Sequence, residues 1–199
     1  MEKLPCFLIL LLCVHGIGFS QVGIGTTNPT AELEIETTAT GIPALELNAQ
    51  TTPTGTVTGQ ISLIGDKLFM YDATRAKWLS LETIAIQYGR NGNADNQRLH
   101  YGGNMQNNNS GAMMPFDGTI VAVSSRSSGG NASKQFQVRI RNGTTNQAGT
   151  FTFNHVNNEY ISTTNNADFN AGDYINVHAQ AAGSAVSNAT VILWIKWRE

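Results

Sequence analysis

Apolar residues in this chain recur at every second position, in short runs that end at Gly, Asn, Asp or Pro. That spacing constrains the fold more than any other feature. Alternation places every second side chain on one face of an extended strand, whereas a helical face repeats near 3.6 residues. Phe136, Val138 and Ile140 follow the pattern, as do Ile84, Ile86 and Tyr88, and Ile61 with Leu63. Hairpin signals follow two such runs, at Gly65-Asp66 and at Asn142-Gly143. The expectation is an all-β protein. Composition agrees, because only 13% of residues are charged and the polarity comes from Asn, Thr, Ser, Gln and Gly. Thr favours strands, and Asn and Gly favour turns.

The first twenty residues read differently. Lys3 precedes an apolar run from Leu4 to Val14, and the small residues Gly18 and Ser20 follow. This pattern predicts a cleaved signal peptide over 1–20, a mature start at Gln21, and a secreted or cell-surface protein. The run is shorter than the about 20 residues that span a bilayer. No later segment is long and apolar enough, so no transmembrane segment is expected in the mature chain. A lipidated Cys13 is the rival reading, but the residue before it is Leu12 and not a small one. Cys6 and Cys13 both lie in the leader, which leaves the mature chain without disulfides, thiol nucleophiles or Cys-ligated zinc. The formal charge of −2 offers no basic surface for nucleic acid.

Beyond the leader two parts are expected. Residues 21–82 form a β-rich head or stalk, in which Ala31–Ile35 recurs as Pro43–Leu47 and residues 60–81 make a small meander ending at Trp78-Leu79. Strands this short need neighbours, in the same chain or in copies of it. Residues 83–199 form one compact domain with about seven or eight strands, the number expected of a sandwich or jelly roll.

Two stretches resemble known families. Gln21-Val22-Gly23-Ile24-Gly25-Thr26-Thr27-Asn28-Pro29 is similar to the head of many secreted Bacteroidetes proteins and to repeats of trimeric phage tail fibres. Gly65–Asp72 with Trp78 resembles a hairpin unit that often follows that head. Met114–Ile120, Phe136–Gly143, Ala171–Ile175 and the apolar last strand resemble the TNF-like jelly roll of bacterial collagen-like surface proteins and spore-surface glycoproteins. This likeness implies a homotrimer displayed on a stalk, although the chain has no Gly-X-Y tract.

Little in the chain points to chemistry. His100, His155 and His178 are far apart and read as surface or strand-face residues, with no metal-binding spacing. No phosphate loop or nucleophile elbow occurs, so neither an enzyme nor a cofactor is expected. Two other features stand out. In the last strand Val191, Leu193, Ile195 and Trp197 share one face as core, while Ile192 and Trp194 lie on the other. A strand apolar on both faces predicts an oligomer interface at Ile192 and Trp194. The Asn-rich stretch with Tyr101, Asn104, Asn107, Asn108 and Asn109 is a candidate ligand loop for a cell-surface or glycan ligand. Lys134 is expected to be exposed. The leading expectation is a secreted trimeric structural or adhesive surface or fibre protein. The alternative is a lectin-like carbohydrate-binding module on the same fold.

Overall fold

A computed structural model of the chain describes residues 22–24, 27, 31, 33–38, 40–105, 107–130 and 133–199. The expected signal peptide, both cysteines and Gln21 lie outside the described residues. No described residue is helical, and all regular elements are strands, as the alternation predicts. The chain divides into two compact units between Asn48 and Ala49.

In the first unit β1 (Val22–Ile24) pairs in parallel with β2 (Leu33–Ile35), and the Glu36 N–H extends the ladder by donating to the Ile24 carbonyl at 2.8 Å. The second copy of the repeat, residues 43–47, forms no strand. An extended segment becomes a strand only where a neighbour completes its backbone hydrogen bonds. Ile24, Leu33, Ile42 and Leu45 are all exposed.

The second unit begins with the expected meander, β3 (Ile61–Ile64), β4 (Lys67–Asp72) and β5 (Lys77–Ser80). Gly65, at φ +60°, opens its two-residue turn. Ile64, Phe69 and Trp78 form a small core, and the Trp78 indole donates to the Pro53 carbonyl at 2.9 Å.

After β6 (Ile84–Gly89) come five two-residue strands: β7 (Asn93–Ala94), β8 (Gln97–Arg98), β9 (His100–Tyr101), β10 (Asn104–Met105) and β11 (Ala112–Met113). The long strands β12 (Gly118–Arg126) and β13 (Lys134–Asn142) follow, then β14 (Thr145–Asn146), β15 (Phe151–His155), β16 (Glu159–Ser162) and β17 (Ala167–Phe169). Strands β18 (Tyr174–Gly183), β19 (Val186–Ser187) and β20 (Thr190–Trp197) end the chain. One sheet runs β10-β9-β6-β20-β12-β16, with β17 also on β12. The other runs β11-β18-β13-β14, with β15 on β13 and β8 on β18. The chain passes repeatedly between them, as from β12 to β13 and from β17 to β18.

That core is the set of inward residues from the alternating runs: Phe136, Val138 and Ile140 from β13, Ile175 and Val177 from β18, and Val191, Leu193 and Ile195 from β20. The alternation fails once. In β12, Ile120 and Val123 both point inward although three positions apart. The register with β20 shifts between Ile120 and Ala122, which makes Val121 a bulge residue.

The bulge marks where the meander attaches. Arg75 donates from Nη2 to the carbonyls of Val121 (3.1 Å) and Thr163 (2.9 Å), and from Nε to that of Asn165 (2.9 Å), while Nη1 pairs with Asp72. Lys77 reaches Asp168 at 2.5 Å, and Lys196 donates to the Ser80 carbonyl at 2.8 Å. The boundary expected between 82 and 83 therefore falls inside one compact unit. Hydrophobic pattern could not show this, because polar side chains make the attachment.

Lys134 departs from expectation. It is fully buried, at an inward position of the same face as Phe136, and its ammonium pairs with Asp95 at the rim. The period of two carries Lys134 inward whatever its charge, and Asp95 meets the charge where it emerges.

Candidate functional site

The two outer faces of the sandwich carry the residues singled out on sequence. Strand β20 is central, hydrogen-bonded to β6 on one edge and β12 on the other. Val191, Leu193 and Ile195 are buried. Trp197 is half-buried, edge-on to Phe116 and Phe169 at 5.4 and 6.4 Å between ring centres. The opposite face presents Ile192, half-buried, and Trp194, 39% exposed. Trp194 is registered between Ala85 and Ala122, so its two cross-strand neighbours are small. Ile192 is registered with Ser124, whose other partner is Ile161, 77% exposed. Ile192, Trp194 and Ile161 thus form an apolar patch beside the part of the face that the meander covers.

The Asn-rich stretch is divided between the two sheets. Tyr101 lies on the β6 side, its ring 5.5 Å from that of Tyr88, and lines a groove of about 400 Å³ with Ile84, Met113 and Trp197. Asn104 is registered opposite Tyr101 in the β9–β10 hairpin. Asn107, Asn108 and Asn109 instead lie over the outer face of the other sheet. Asn107 Oδ1 accepts from the Asn109 N–H at 2.7 Å, and the Asn107 N–H donates to Ser110 Oγ at 3.0 Å. Asn176 donates to the carbonyls of Asn107 (3.4 Å) and Ser110 (3.0 Å), and the Tyr174 hydroxyl, 2.5 Å from the Gly143 carbonyl, also lies 3.2 Å from that of Asn108. Asn108 Oδ1 accepts from both Arg98 and Arg139, the latter at 3.2 Å.

That outer face is cationic. Arg139 and Arg141 occupy outward positions of β13, His178 lies on β18, and Arg98 pairs with His178 from β8. Arg139 Nη2 lies 3.2 Å from His178 Nδ1. A guanidinium only donates, so Nδ1 carries no proton. Burial, then Arg98 and Arg139, push the His178 pKa down to about 4, so the ring is neutral at ordinary pH. Burial, then Arg139 and Arg141, pull Arg98 down to about 10. Alternation could have flagged Arg139 and Arg141 as one face, but Arg98 joins them only through a long-range pairing.

Of the histidines expected at the surface or on a strand face, His178 lies on the outer face of β18 though largely covered, whereas His155 is fully buried. His155 Nδ1 lies 2.7 Å from Ser125 Oγ and Nε2 lies 2.9 Å from Ser127 Oγ. The Ser127 hydroxyl donates to Asn158 Oδ1 at 3.1 Å, so it accepts from Nε2–H, and Ser125 donates to Nδ1. Both ring nitrogens are therefore satisfied, which is what admits an imidazole to the interior. Burial, then the nearby Arg126, lowers the His155 pKa. No reacting group can approach a ring that is closed off from solvent. Among the described residues no group of three or more His, Cys, Asp or Glu is placed to hold a metal ion, and no helix is long and apolar enough to cross a membrane.

Comparison with protein-family models, with curated proteins and with solved structures finds no match to the chain.

Proposed function

We propose that the chain is a secreted, non-catalytic structural or adhesive module that assembles as a homotrimer through the outer face of β20. The observation that carries this reading is the outward apolar set of Ile192 and Trp194 on the central strand β20 and Ile161 on β16 of the same face. Both edges of β20 are already paired, so only its face can receive a partner. The exposed apolar residues of the first unit, Ile24, Leu33, Ile42 and Leu45, support assembly too, because copies of the chain would cover them. The strand order supports a TNF-like jelly roll: β6, β20, β12 and β16 form one layer and β11, β18, β13 and β15 the other. That architecture is the basis for three copies.

Gel filtration with light scattering tests the reading. Trp194→Glu is expected to dissociate the assembly, because an unpaired charge buried at an interface costs several kcal/mol. Thr145→Glu, on the exposed β14 of the opposite sheet, serves as the control and should leave the mass unchanged. An assembly indifferent to Trp194→Glu would place the interface elsewhere.

A further inference from the structure

Five cations of this fold, Arg75, Lys77, Arg126, Lys134 and Arg198, each lie beside a carboxylate. Arg98, Arg139 and Arg141 do not. They share the outer face of the β18–β13 sheet, close enough that Arg139 and Arg141 lower the pKa of Arg98 and Arg141 lowers that of Arg139, and among the described residues none has a carboxylate partner. Their donors are only partly used. Arg141 is more than nine-tenths buried, donates from Nη2 to the Thr144 carbonyl, and has a buried Nε–H with no acceptor. The Nε–H of Arg98 is likewise buried and unmet. A buried charged donor without an acceptor is costly, and natural structures rarely leave one so. Where two of these guanidinium groups converge, they share one neutral acceptor, Asn108 Oδ1.

We propose that this face binds a tetrahedral oxyanion, a sulfate or phosphate group, whose oxygens replace Asn108 Oδ1 between Arg98 and Arg139, with the Arg141 guanidinium nearby on the same face. The charge count favours a dianion. Three guanidinium groups face the site, and His178 adds no charge because its Nδ1 accepts from Arg139. Guanidinium is suited to the task, since its planar fork of donors matches oxyanion geometry and it stays charged when partly dehydrated. Asn108 enters from a loop held mainly through backbone carbonyls, so its side chain can leave while Asn176 and Tyr174 keep the loop in place. The face belongs to the sheet opposite β20, so ligand binding and assembly through Trp194 do not compete for surface.

Titration calorimetry on the full chain, at fixed ionic strength with chloride as the balancing anion, tests the proposal. Calorimetry is preferred to thermal shift because sulfate stabilises folded proteins without binding them. Inorganic sulfate and inorganic phosphate are titrated separately, and dextran sulfate is run beside unsulfated dextran. Saturable binding at one site per chain is expected for at least one of the two ions. Arg98→Gln and Arg139→Gln should each weaken it by roughly tenfold or more, the equivalent of one charge-assisted hydrogen bond. Arg98 lies on a two-residue strand, so its loss is not expected to disturb folding; a thermal melt checks this, and Arg139→Gln gives the second reading. Asn108→Ala should bind as well as the wild type or more tightly, an outcome that a purely structural cluster would not give. Tighter binding of dextran sulfate, lost in the same arginine variants, would identify a polymeric ester as the source of the group; weaker binding would identify the free ion. The absence of saturable binding by either ion overturns the proposal, as does binding undiminished in both arginine variants or abolished by Asn108→Ala.

Discussion

The two outer faces of the sandwich are built on the same backbone pattern and end in opposite chemistry. On β20 the outward positions hold Ile192 and Trp194, open to solvent and flanked by small residues. On β13 and β18 they hold Arg139, Arg141, Asn176 and His178, roofed by the 107–110 loop. Apart from Lys134 and Ala179, the inward positions of the same strands are alike: Val, Leu, Ile and Phe in one shared core. Inward residues thus define the fold and are interchangeable in kind, whereas outward residues distinguish one face from the other. The first is suited to a hydrophobic partner and the second to a charged one.

Substitutions on opposite sides of one strand should sharpen that contrast most. Leu193→Ala, on the inner side of β20, is expected to lower stability by about 2–5 kcal/mol, the range for deleting a buried Leu. Trp194→Ala, one residue away, should leave the stability of the isolated subunit nearly unchanged and act on assembly instead. Denaturant unfolding of both variants in parallel gives the comparison, and equal losses would erase the distinction between faces.

The next effect concerns a buried charge on the core side. Asp95→Ala leaves the Lys134 ammonium without its carboxylate and should cost about 3 kcal/mol, the low end for breaking a buried pair. Lys134→Met should cost far less, because an apolar chain of similar length suits the surrounding core. If Lys134→Met proves the worse of the two, the pair is a net source of stability and not merely a compensated burial.

Arg75→Ala probes the junction between meander and sheet. It removes the charged donor from three backbone carbonyls, including that of the bulge residue Val121, and should destabilise by about 2 kcal/mol. Hydrogen exchange should show the loss concentrated in β3–β5, while protection in β13 and β18 persists.

How far the sequence could be read follows from the same contrast. Strand positions and the inner face were legible, because a period of two is a local property: β3, β6 and β13 fall where alternation places them, and β20 falls on the apolar run at the end of the chain. The β15–β16 turn was missed, although Asn157 and Asn158, both at positive φ, supply the residues a two-residue hairpin wants. Long-range pairing was not legible. Nothing near Arg75 indicates the carbonyls of Val121 and Thr163, nothing near Arg98 indicates His178, and nothing near Lys134 indicates Asp95. The Asn-rich stretch was visible as a loop, but its division between two sheets was not, because it depends on long-range pairing: β9 pairs with β6, while Asn176 of β18 holds the carbonyls of Asn107 and Ser110.

The smallest expected effect is in acid. The His178 pKa lies near 4 in the folded chain against an ordinary 6.5, so between these values the unfolded state binds a proton that the folded state refuses. Stability is therefore expected to fall as pH drops from 6.5 toward 4. His155, also lowered, contributes in the same direction. Melting temperatures across that window should fall less steeply for His178→Gln than for the wild type, and identical slopes would remove His178 from the account.

The most direct test of self-assembly through the β20 face is the solution mass of the unmodified chain. Sedimentation equilibrium over a series of protein concentrations gives that mass without reference to shape. The expected result is three times the mass of one subunit, persisting on dilution. A single-subunit mass at every concentration would contradict it, and would leave Ile192, Trp194 and Ile161 as a solvent-exposed patch without a partner of its own kind.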